Sequence, residues 1–354
     1  MDFNPVRLSI ARKRAMLNKK EFSEAIGVTP HAVVRWEKGQ AIPTPENITA
    51  MSKALGFPEI FFFGDDLDEP LSASFRSQTN MSAAVRDAAL AAGTMGFMIS
   101  DWVHERFNLP LVDVPDLRHY EPEEAARALR EEWRLGEKPI SNMVHLLESR
   151  GARVFSLAEN TVKVNAYSLW RAGKPYVFLN TFKSAESSRF DAAHELGHLV
   201  LHQDGGSSGR EAEDQANAFA ASFLMPNADI KANLAYVNHL GQLITAKKRW
   251  KVSVSALNYR LHKLRIISDW KYRDMCIEIS SRGYNKKEPE SIDRETSIVW
   301  EKVMRTIWAE KITQKNIAID LALPDREVND LIFGMVATKT ISQINQKPLS
   351  LVTK

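Results

Sequence analysis

The first residues of the chain place apolar side chains at the spacing of one amphipathic helix. Leu8, Ala11 and Ala15 recur on one helical face, and Pro5 stands at the start of the run, where proline is favoured. The pattern predicts a first helix over residues 5–17.

The next segment has the punctuation of two short helices joined by a tight turn. Asn18 is an N-cap residue for a second helix over residues 19–26, which Gly27 ends in the left-handed conformation. Thr29 caps a third helix, and Pro30 takes its first position. Helix, short glycine-containing turn and helix are the elements of a helix-turn-helix, whose second helix enters the major groove of DNA.

The third helix has an apolar side and a polar side. Val33, Val34 and Trp36 are expected to pack inward. Four side chains are expected to face outward, where Arg35 is of the type that reads guanine: Pro30, His31, Arg35 and Lys38. The alternative is a helical bundle with a merely solvated basic face.

The central part of the chain changes its pattern from helix to strand. Residues 72–112 are alanine-rich and helix-prone and predict a connecting helix or pair of helices. Residues 152–157, 162–170 and 176–180 are rich in β-branched and aromatic side chains, with a turn at residues 172–175. A small antiparallel sheet is therefore expected.

The strongest chemical motif is the pentapeptide His-Glu-Leu-Gly-His. His194 and His198 stand four residues apart, so on a helix both imidazoles project from one face and hold one zinc ion. Glu195 is placed as the carboxylate that takes a proton from the zinc-polarised water. The alternative is a core helix that carries two polar histidines.

A third ligand is expected on the following helix. Glu213 shares a face with Asn217 and two alanines, whose small side chains allow close helix packing. Glu211 and Asp214 are rivals that point elsewhere on the helix. Asn217 is expected to hydrogen-bond a ligand histidine from behind the metal.

The C-terminal part is helical and has two interpretations. Residues 240–250 and 256–264 suit either a second helix-turn-helix or a helical subdomain that flanks the zinc site. Residues 295–336 are again amphipathic, with acids mixed among the bases, which favours packing or partner contact.

Composition and charge narrow the functional classes. The 354 residues are 44% hydrophobic, which excludes wholesale disorder, and the single cysteine, Cys276, excludes a disulfide framework. The longest nearly unbroken apolar run, residues 88–99, is shorter than the ~18 residues that span a bilayer. With no signal-peptide pattern, we expect a cytoplasmic protein without a membrane partner.

Charge distribution suggests how the chain is divided. The first 40 residues carry eight Lys or Arg against four acids, which suits a polyanion partner. An acidic stretch at residues 64–70 is expected to be a hinge. The expected domains are 1–65, which binds DNA, 66–114, a helical linker, 115–265, the zinc domain, and 266–354, a C-terminal helical domain.

Two family resemblances follow from these motifs. The chain from Arg7 to Phe63 resembles the XRE family of phage-repressor-type helix-turn-helix domains, in the Ile26-Gly27-Val28-Thr29 turn and the Arg35-Trp36-Glu37-Lys38-Gly39 helix end. The segment 115–265 resembles the ImmA/IrrE family of zinc metallopeptidases, in Arg189-Phe190 before the histidine motif and in the helix from Glu213 that ends Leu224-Met225-Pro226.

The resemblances imply a fold and site roles. They imply an α+β, mostly helical chain with a lambda-repressor-like five-helix domain and a zincin-like domain. By the XRE resemblance, Pro30, His31 and Arg35 read bases, and Asn18 and Lys19 grip phosphate. By the ImmA/IrrE resemblance, His194, His198 and Glu213 bind Zn²⁺, and Glu195 is the general base.

The leading hypothesis is a DNA-binding transcriptional regulator whose zinc endopeptidase domain cleaves a repressor-type partner. The alternative is a repressor or antitoxin whose zinc domain senses a ligand or is structural, without proteolysis. The expected partners are double-stranded DNA, a protein substrate and a second copy of the chain, since helix-turn-helix domains commonly bind as two-fold dimers. Tyr167 and His202 are candidates for stabilising the oxyanion.

Overall fold

The computed structural model of the chain describes residues 2–70, 74–77, 82–157, 164–203 and 209–336. Within these ranges the protein is mostly helical and contains one four-stranded sheet. The expected α+β, mostly helical class is confirmed. The end of the expected C-terminal domain, beyond residue 336, lies outside the described residues.

The N-terminal region forms the expected helix-turn-helix. Its elements are α1 (Pro5–Arg14), α2 (Lys19–Ala25), α3 (Pro30–Glu37), α4 (Pro45–Leu55) and a 3₁₀ helix (Glu59–Phe63). The Asn18 side chain accepts hydrogen bonds from the first turn of α2, and Thr29 does so for α3. Gly27, with φ of +71°, makes the turn between them.

The fifth helix of this region is a 3₁₀ helix. It has five residues between Pro58 and Gly64, and it buries Phe61 and Phe62. The region therefore has the expected five helices, of which four are α-helices and one is a 3₁₀ helix.

The central region surrounds the sheet with helices. Its elements are β1 (Ser74–Ser77), α5 (Ala83–His104), α6 (Pro122–Glu132), α7 (Met143–Ser149), β2 (Arg153–Ser156), β3 (Val164–Arg171), β4 (Lys174–Leu179), α8 (Ala185–Leu201) and α9 (Arg210–Leu224). The strand order is β1-β3-β4-β2.

The sheet is mixed, so the prediction of a purely antiparallel sheet is wrong. A two-residue turn at Ala172 and Gly173, both with positive φ, joins β3 to β4 as a hairpin. The other edge of β3 is taken by β1, which leaves β2 to pair with β4, and these two strands run parallel. The helical prediction for residues 72–112 is also wrong at Ser74–Ser77, which form β1.

Helix α5 packs against the sheet as part of the core. A Cβ added at Gly96 would lie 2.8 Å from the ring of Phe178, and one at Gly93 would lie 2.6 Å from the hydroxyl of Tyr167. The helix expected to be a connector is therefore held in close contact with β3 and β4.

The C-terminal region wraps back onto the other two regions. Its helices are α10 (Asn227–Asn233), α11 (Leu240–Trp250), α12 (Val254–Lys263), α13 (Asp269–Ser281), α14 (Ile298–Ala309), α15 (Gln314–Asp320) and α16 (Asp325–Phe333). The Trp300 indole donates to the carbonyl of Val154 in β2. Arg14 of α1 and Glu327 of α16 form a buried ion pair at 2.7 Å.

The α11–α12 pair turns basic side chains inward. Lys247 is buried against Glu186 at 3.0 Å, and the buried Arg260 guanidinium donates to Glu123 and to the carbonyl of Met225. This packing favours the flanking-subdomain interpretation over a second DNA-binding unit. Among the described residues, no helix is long and apolar enough to cross a membrane.

Candidate metal centre

Helices α8 and α9 approach each other closely at one glycine. A Cβ added at Gly197 would lie 3.3 Å from the Cα of Ala216 and 3.0 Å from the ring of Phe219. Because this contact has no side chain on the α8 side, the imidazoles of α8 come within reach of a carboxylate on α9.

Three of the residues predicted as ligands lie together at this contact. The Nε2 atoms of His194 and His198 are 3.0 Å apart. The Glu213 carboxylate lies 3.4 Å from His194 Nε2 and 3.5 Å from His198 Nε2. Among the described residues these three form the cluster able to hold a metal ion.

The spacing of these donor atoms suits a small tetrahedral cation. Nitrogen and oxygen ligands at ~2.0–2.1 Å from a tetrahedral zinc ion lie ~3.3–3.4 Å from one another. The observed separations of 3.0, 3.4 and 3.5 Å bracket this value. Two imidazoles and one carboxylate are also the donor set of catalytic zinc sites that keep a fourth position open.

Hydrogen bonds hold His194 and His198 in the tautomers that metal binding requires. His194 Nδ1 lies 3.1 Å from the side-chain oxygen of Asn217, which accepts a hydrogen bond from Nδ1–H and leaves Nε2 with its lone pair. Asn217 thus lies where the sequence placed it, behind a ligand histidine.

A second chain of hydrogen bonds does the same for His198. The side-chain oxygen of Gln215 lies 2.8 Å from His202 Nε2, and His202 Nδ1 lies 3.0 Å from His198 Nδ1. The amide oxygen can only accept, so His202 carries its proton on Nε2 and accepts at Nδ1 from His198. His198 therefore also presents an unprotonated Nε2 to the cluster.

Glu195 is fully buried beside the cluster and is held through one oxygen. The Ser168 hydroxyl on β3 donates to Glu195 Oε2 at 2.6 Å. Oε1 has no hydrogen-bond partner among the described residues. Burial raises the pKa of Glu195 to about 7, against the opposing effects of His198 and the Ser168 hydrogen bond.

Glu213 has the opposite electrostatic character. Burial favours the neutral acid, but the hydrogen bonds and charge that His194 and His198 offer when protonated outweigh it and lower the pKa of Glu213 to about 2. Its rivals Glu211 and Asp214 are exposed and lie outside the cluster.

The two candidates for the oxyanion partner do not fit that role. The Tyr167 hydroxyl donates to the carbonyl of Ala89 at 2.8 Å, on the side of the sheet that faces α5. Both ring nitrogens of His202 are engaged with His198 and Gln215. These two expectations are therefore withdrawn.

A buried ion pair holds the N-terminal half of α8, the helix that carries His194 and His198. Arg189 pairs with Glu295 from the C-terminal region and donates to the carbonyl of Ile140. The second oxygen of Glu295 accepts from the backbone of Met143 and Val144 at the start of α7. Sequence reasoning missed Glu295 and Ser168, because each lies far along the chain from its partner. His202 did leave a signal, since it follows His198 by one helical turn.

The predicted DNA-contact side chains are split between exposed and engaged positions. Pro30, His31, Arg35 and Lys38 are exposed along α3 and its end. The Asn18 side chain caps its own helix, and the amine of Lys19 pairs with Glu37 at 3.0 Å. Arg12 also pairs with Glu37, at 2.6 Å, so two cations within the domain offset the charge of this acid.

Comparison with known families agrees with this two-part organisation. Residues 147–262 match the family model of the IrrE N-terminal-like domain, and residues 8–62 match a helix-turn-helix family model. No curated protein matches the chain. The two matches support a fusion of an XRE-type helix-turn-helix domain, of the kind that binds DNA, with an ImmA/IrrE-like domain.

Proposed function

We propose that this chain is a DNA-binding regulator that acts as a zinc endopeptidase on a repressor-type partner protein. The observation that carries the proposal is the convergence of His194, His198 and Glu213 beside a buried Glu195, one of whose oxygens has no partner within the described parts of the chain. A purely structural zinc site usually has four protein ligands, whereas three described residues converge here.

The residues around the metal position have separate tasks. His194, His198 and Glu213 would hold Zn²⁺, which when bound polarises a peptide carbonyl and acidifies water. Glu195 Oε1 is free to take the proton from the attacking water and later to give it to the leaving amine. Ser168 holds the other oxygen, so Glu195 keeps its orientation throughout.

The DNA-binding part of the proposal assigns two kinds of contact. Pro30, His31 and Arg35 would face base edges, because they are exposed along α3. Asn18, Lys19 and Lys38 would contact phosphates, which position a domain on the duplex without reading its sequence.

Zinc stoichiometry of the purified protein tests the site. We expect about one zinc per chain by elemental mass spectrometry, and its loss in His198→Ala and Glu213→Ala. Asp214→Asn is the matched control, since Asp214 follows Glu213 but lies outside the cluster, and it should keep the metal. Retention of zinc by Glu213→Ala would overturn the ligand assignment.

Glu195→Gln separates proteolysis from ligand sensing. This variant should keep zinc and DNA binding but fail to relieve repression of a reporter gene. Normal regulation by Glu195→Gln would instead favour the alternative, in which the domain senses a ligand or is structural.

A further inference from the structure

The outer edge of β3 passes directly beside the proposed general base, and a segment of the chain's own interdomain connection lies along it. We propose that residues 74–77 occupy a binding edge for extended peptides, and so act as an internal competitor for the substrate. This inference rests on the proposed function and names both its substrate class, an extended peptide, and its regulation.

Two side chains of β3 donate hydrogen bonds to α8, the helix that carries Glu195. The Ser168 hydroxyl donates to the carboxylate and to the backbone carbonyl of Glu195, at 2.6 and 3.2 Å. Two residues further along β3, on the same face, the Trp170 indole donates to the carbonyl of Leu199 at 3.1 Å. A peptide paired with β3 therefore lies next to Glu195.

The register of β1 places it at this point. β1 runs antiparallel to β3, with Ser74 opposite Ser168, Phe75 opposite Tyr167 and Ser77 opposite Val164. Opposite Cα atoms in an antiparallel pair are ~4.5–5.5 Å apart. The backbone of residue 74 is thus the direct neighbour of the residue that holds Glu195.

Two ion pairs hold residues 68 and 69, which precede β1 in the chain. The Asp68 carboxylate pairs with Arg171, the last residue of β3, at 2.7 Å. The backbone carbonyl of Asp68 accepts a hydrogen bond from the Thr94 hydroxyl at 3.1 Å. Glu69 pairs with Lys13 of α1 at 2.7 Å. The same short segment therefore connects the DNA-binding helices to the edge of the catalytic strand.

An edge strand binds peptides mainly through its main-chain groups. The unpaired N–H and C=O groups of such an edge pair with any extended segment, a mode known as β-augmentation. A tethered segment competes at an effective concentration in the millimolar range. Residues 74–77 would exclude a free peptide for as long as they remain paired with β3.

Competition by a synthetic peptide tests this proposal without turnover. The probe is a fluorescent peptide of residues 70–81, added to zinc-loaded full-length Glu195→Gln protein and to the same protein with Ser74→Pro and Phe75→Pro. Successive N–H groups of a strand point to opposite sides, so one of the two prolines removes a bond to β3. A scrambled peptide is the control.

We expect the double-proline protein to bind the probe at least about tenfold more tightly than the parent, because the tethered competitor is gone. Zinc content and melting temperature of the two proteins should agree, which shows that the fold is intact. Equal affinity of the parent and the double-proline protein, or no binding by either, would overturn the proposal.

A disulfide provides a second test that does not depend on proline. Ser77→Cys and Val164→Cys, in a Cys276→Ser background, are directly opposite in the register, and opposite Cα separations of ~4.5–5.5 Å suit a disulfide. Oxidation should link them and abolish the probe binding that remains in the reduced protein. Failure to cross-link would refute the register.

Both tests are independent of the proposed activity. Probe binding that depends on residues 74–77, in a protein that hydrolyses nothing, would leave the peptide-binding edge and its internal occupant standing and remove the endopeptidase. Zinc-dependent hydrolysis of another protein, with probe binding unaffected by the strand, would do the reverse.

Discussion

Helices α3 and α8 carry the two sets of candidate functional side chains, and the two sets differ in their exposure to solvent. On α3 the candidates His31 and Arg35 are exposed to solvent, whereas on α8 His194, Glu195 and His198 are buried. The polar groups of the first set are accessible to water. The second set depends on partners supplied by other elements, namely Ser168, Asn217 and His202.

This difference teaches where the sequence is constrained. An exposed side chain is replaceable at little cost to folding, so the exposed face of α3 is free to change in sequence. A buried polar side chain is specified together with its partner, because removing one leaves the other unsatisfied. The predictions below test this contrast, starting with the largest expected effect.

Replacing the buried arginine of α8 should affect stability most. Arg189→Met leaves Glu295 as an unpaired charge in a buried position, and we expect a loss of about 3–5 kcal/mol in the free energy of unfolding. Urea denaturation measures it. Arg35→Met, on the exposed face of α3, is the control and should change stability by less than about 0.5 kcal/mol.

The pair, and not the arginine alone, should carry that effect. The double variant Arg189→Met with Glu295→Met should recover much of the loss, since two apolar side chains replace the ion pair. A double variant as unstable as Arg189→Met would show that the bonds these side chains make to the backbone matter more than their pairing, namely Arg189 to the Ile140 carbonyl and Glu295 to the start of α7.

Removing the histidine behind the metal cluster should weaken zinc binding while the ligands remain. His202→Ala takes away the group that fixes the His198 tautomer, and such changes typically cost about 10–100-fold in metal affinity. Competition with a chromogenic chelator measures the affinity. His119→Ala, at an exposed position, should bind zinc as the wild type does.

On the DNA-binding side, a single exposed arginine should change affinity without changing the fold. Arg35→Ala should weaken binding to a duplex selected from a random pool, towards the lower end of about 1–3 kcal/mol, because its guanidinium already donates to the Gln40 carbonyl at 3.4 Å. Fluorescence anisotropy gives the affinity. A fall in zinc content would contradict the separation of the two sites.

The smallest expected effect is a change in salt dependence. Lys38→Ala should lower the slope of log affinity against log salt by about one, the signature of one lost phosphate contact. Titrations at several salt concentrations measure the slope. An unchanged slope would remove Lys38 from the interface.

The sequence predicted what is encoded locally. Asn18, Gly27 and Thr29 marked the helix-turn-helix, because caps and turn residues act on their immediate neighbours. The spacing of His194 and His198 placed both on one face of α8, and the small residues of α9 indicated the close contact at which Glu213 arrives.

What the sequence did not predict depends on distant pairing. Ser168 precedes Glu195 by 27 residues, and Glu295 follows Arg189 by 106. Helical and strand periodicity contain no information on which segments meet across such distances. Sequence analysis missed the parallel pairing of β2 with β4 and the strand at Ser74–Ser77 for the same reason. β1 takes the edge of β3 that β4 leaves open, and β2 takes the remaining edge of β4.

The acidic segment expected to be a hinge illustrates a further limit. Asp68 is held by Arg171 and Glu69 by Lys13, so the segment is tied to both regions that it joins. A run of acids indicates solvation only when no cation is within reach, and the sequence does not show which cations are near.

One hydrophobic cluster extends from Leu8 in the helix-turn-helix domain to Met335 after α16, and the buried pair Arg14 and Glu327 closes it across 313 positions of the chain. Unfolding of either end therefore exposes apolar surface of the other. Cellular proteases that remove unfolded chains would then remove DNA-binding and metallopeptidase-type domains together. Their ratio in the cell stays at one copy of each, and a destabilising mutation in either domain lowers the abundance of both.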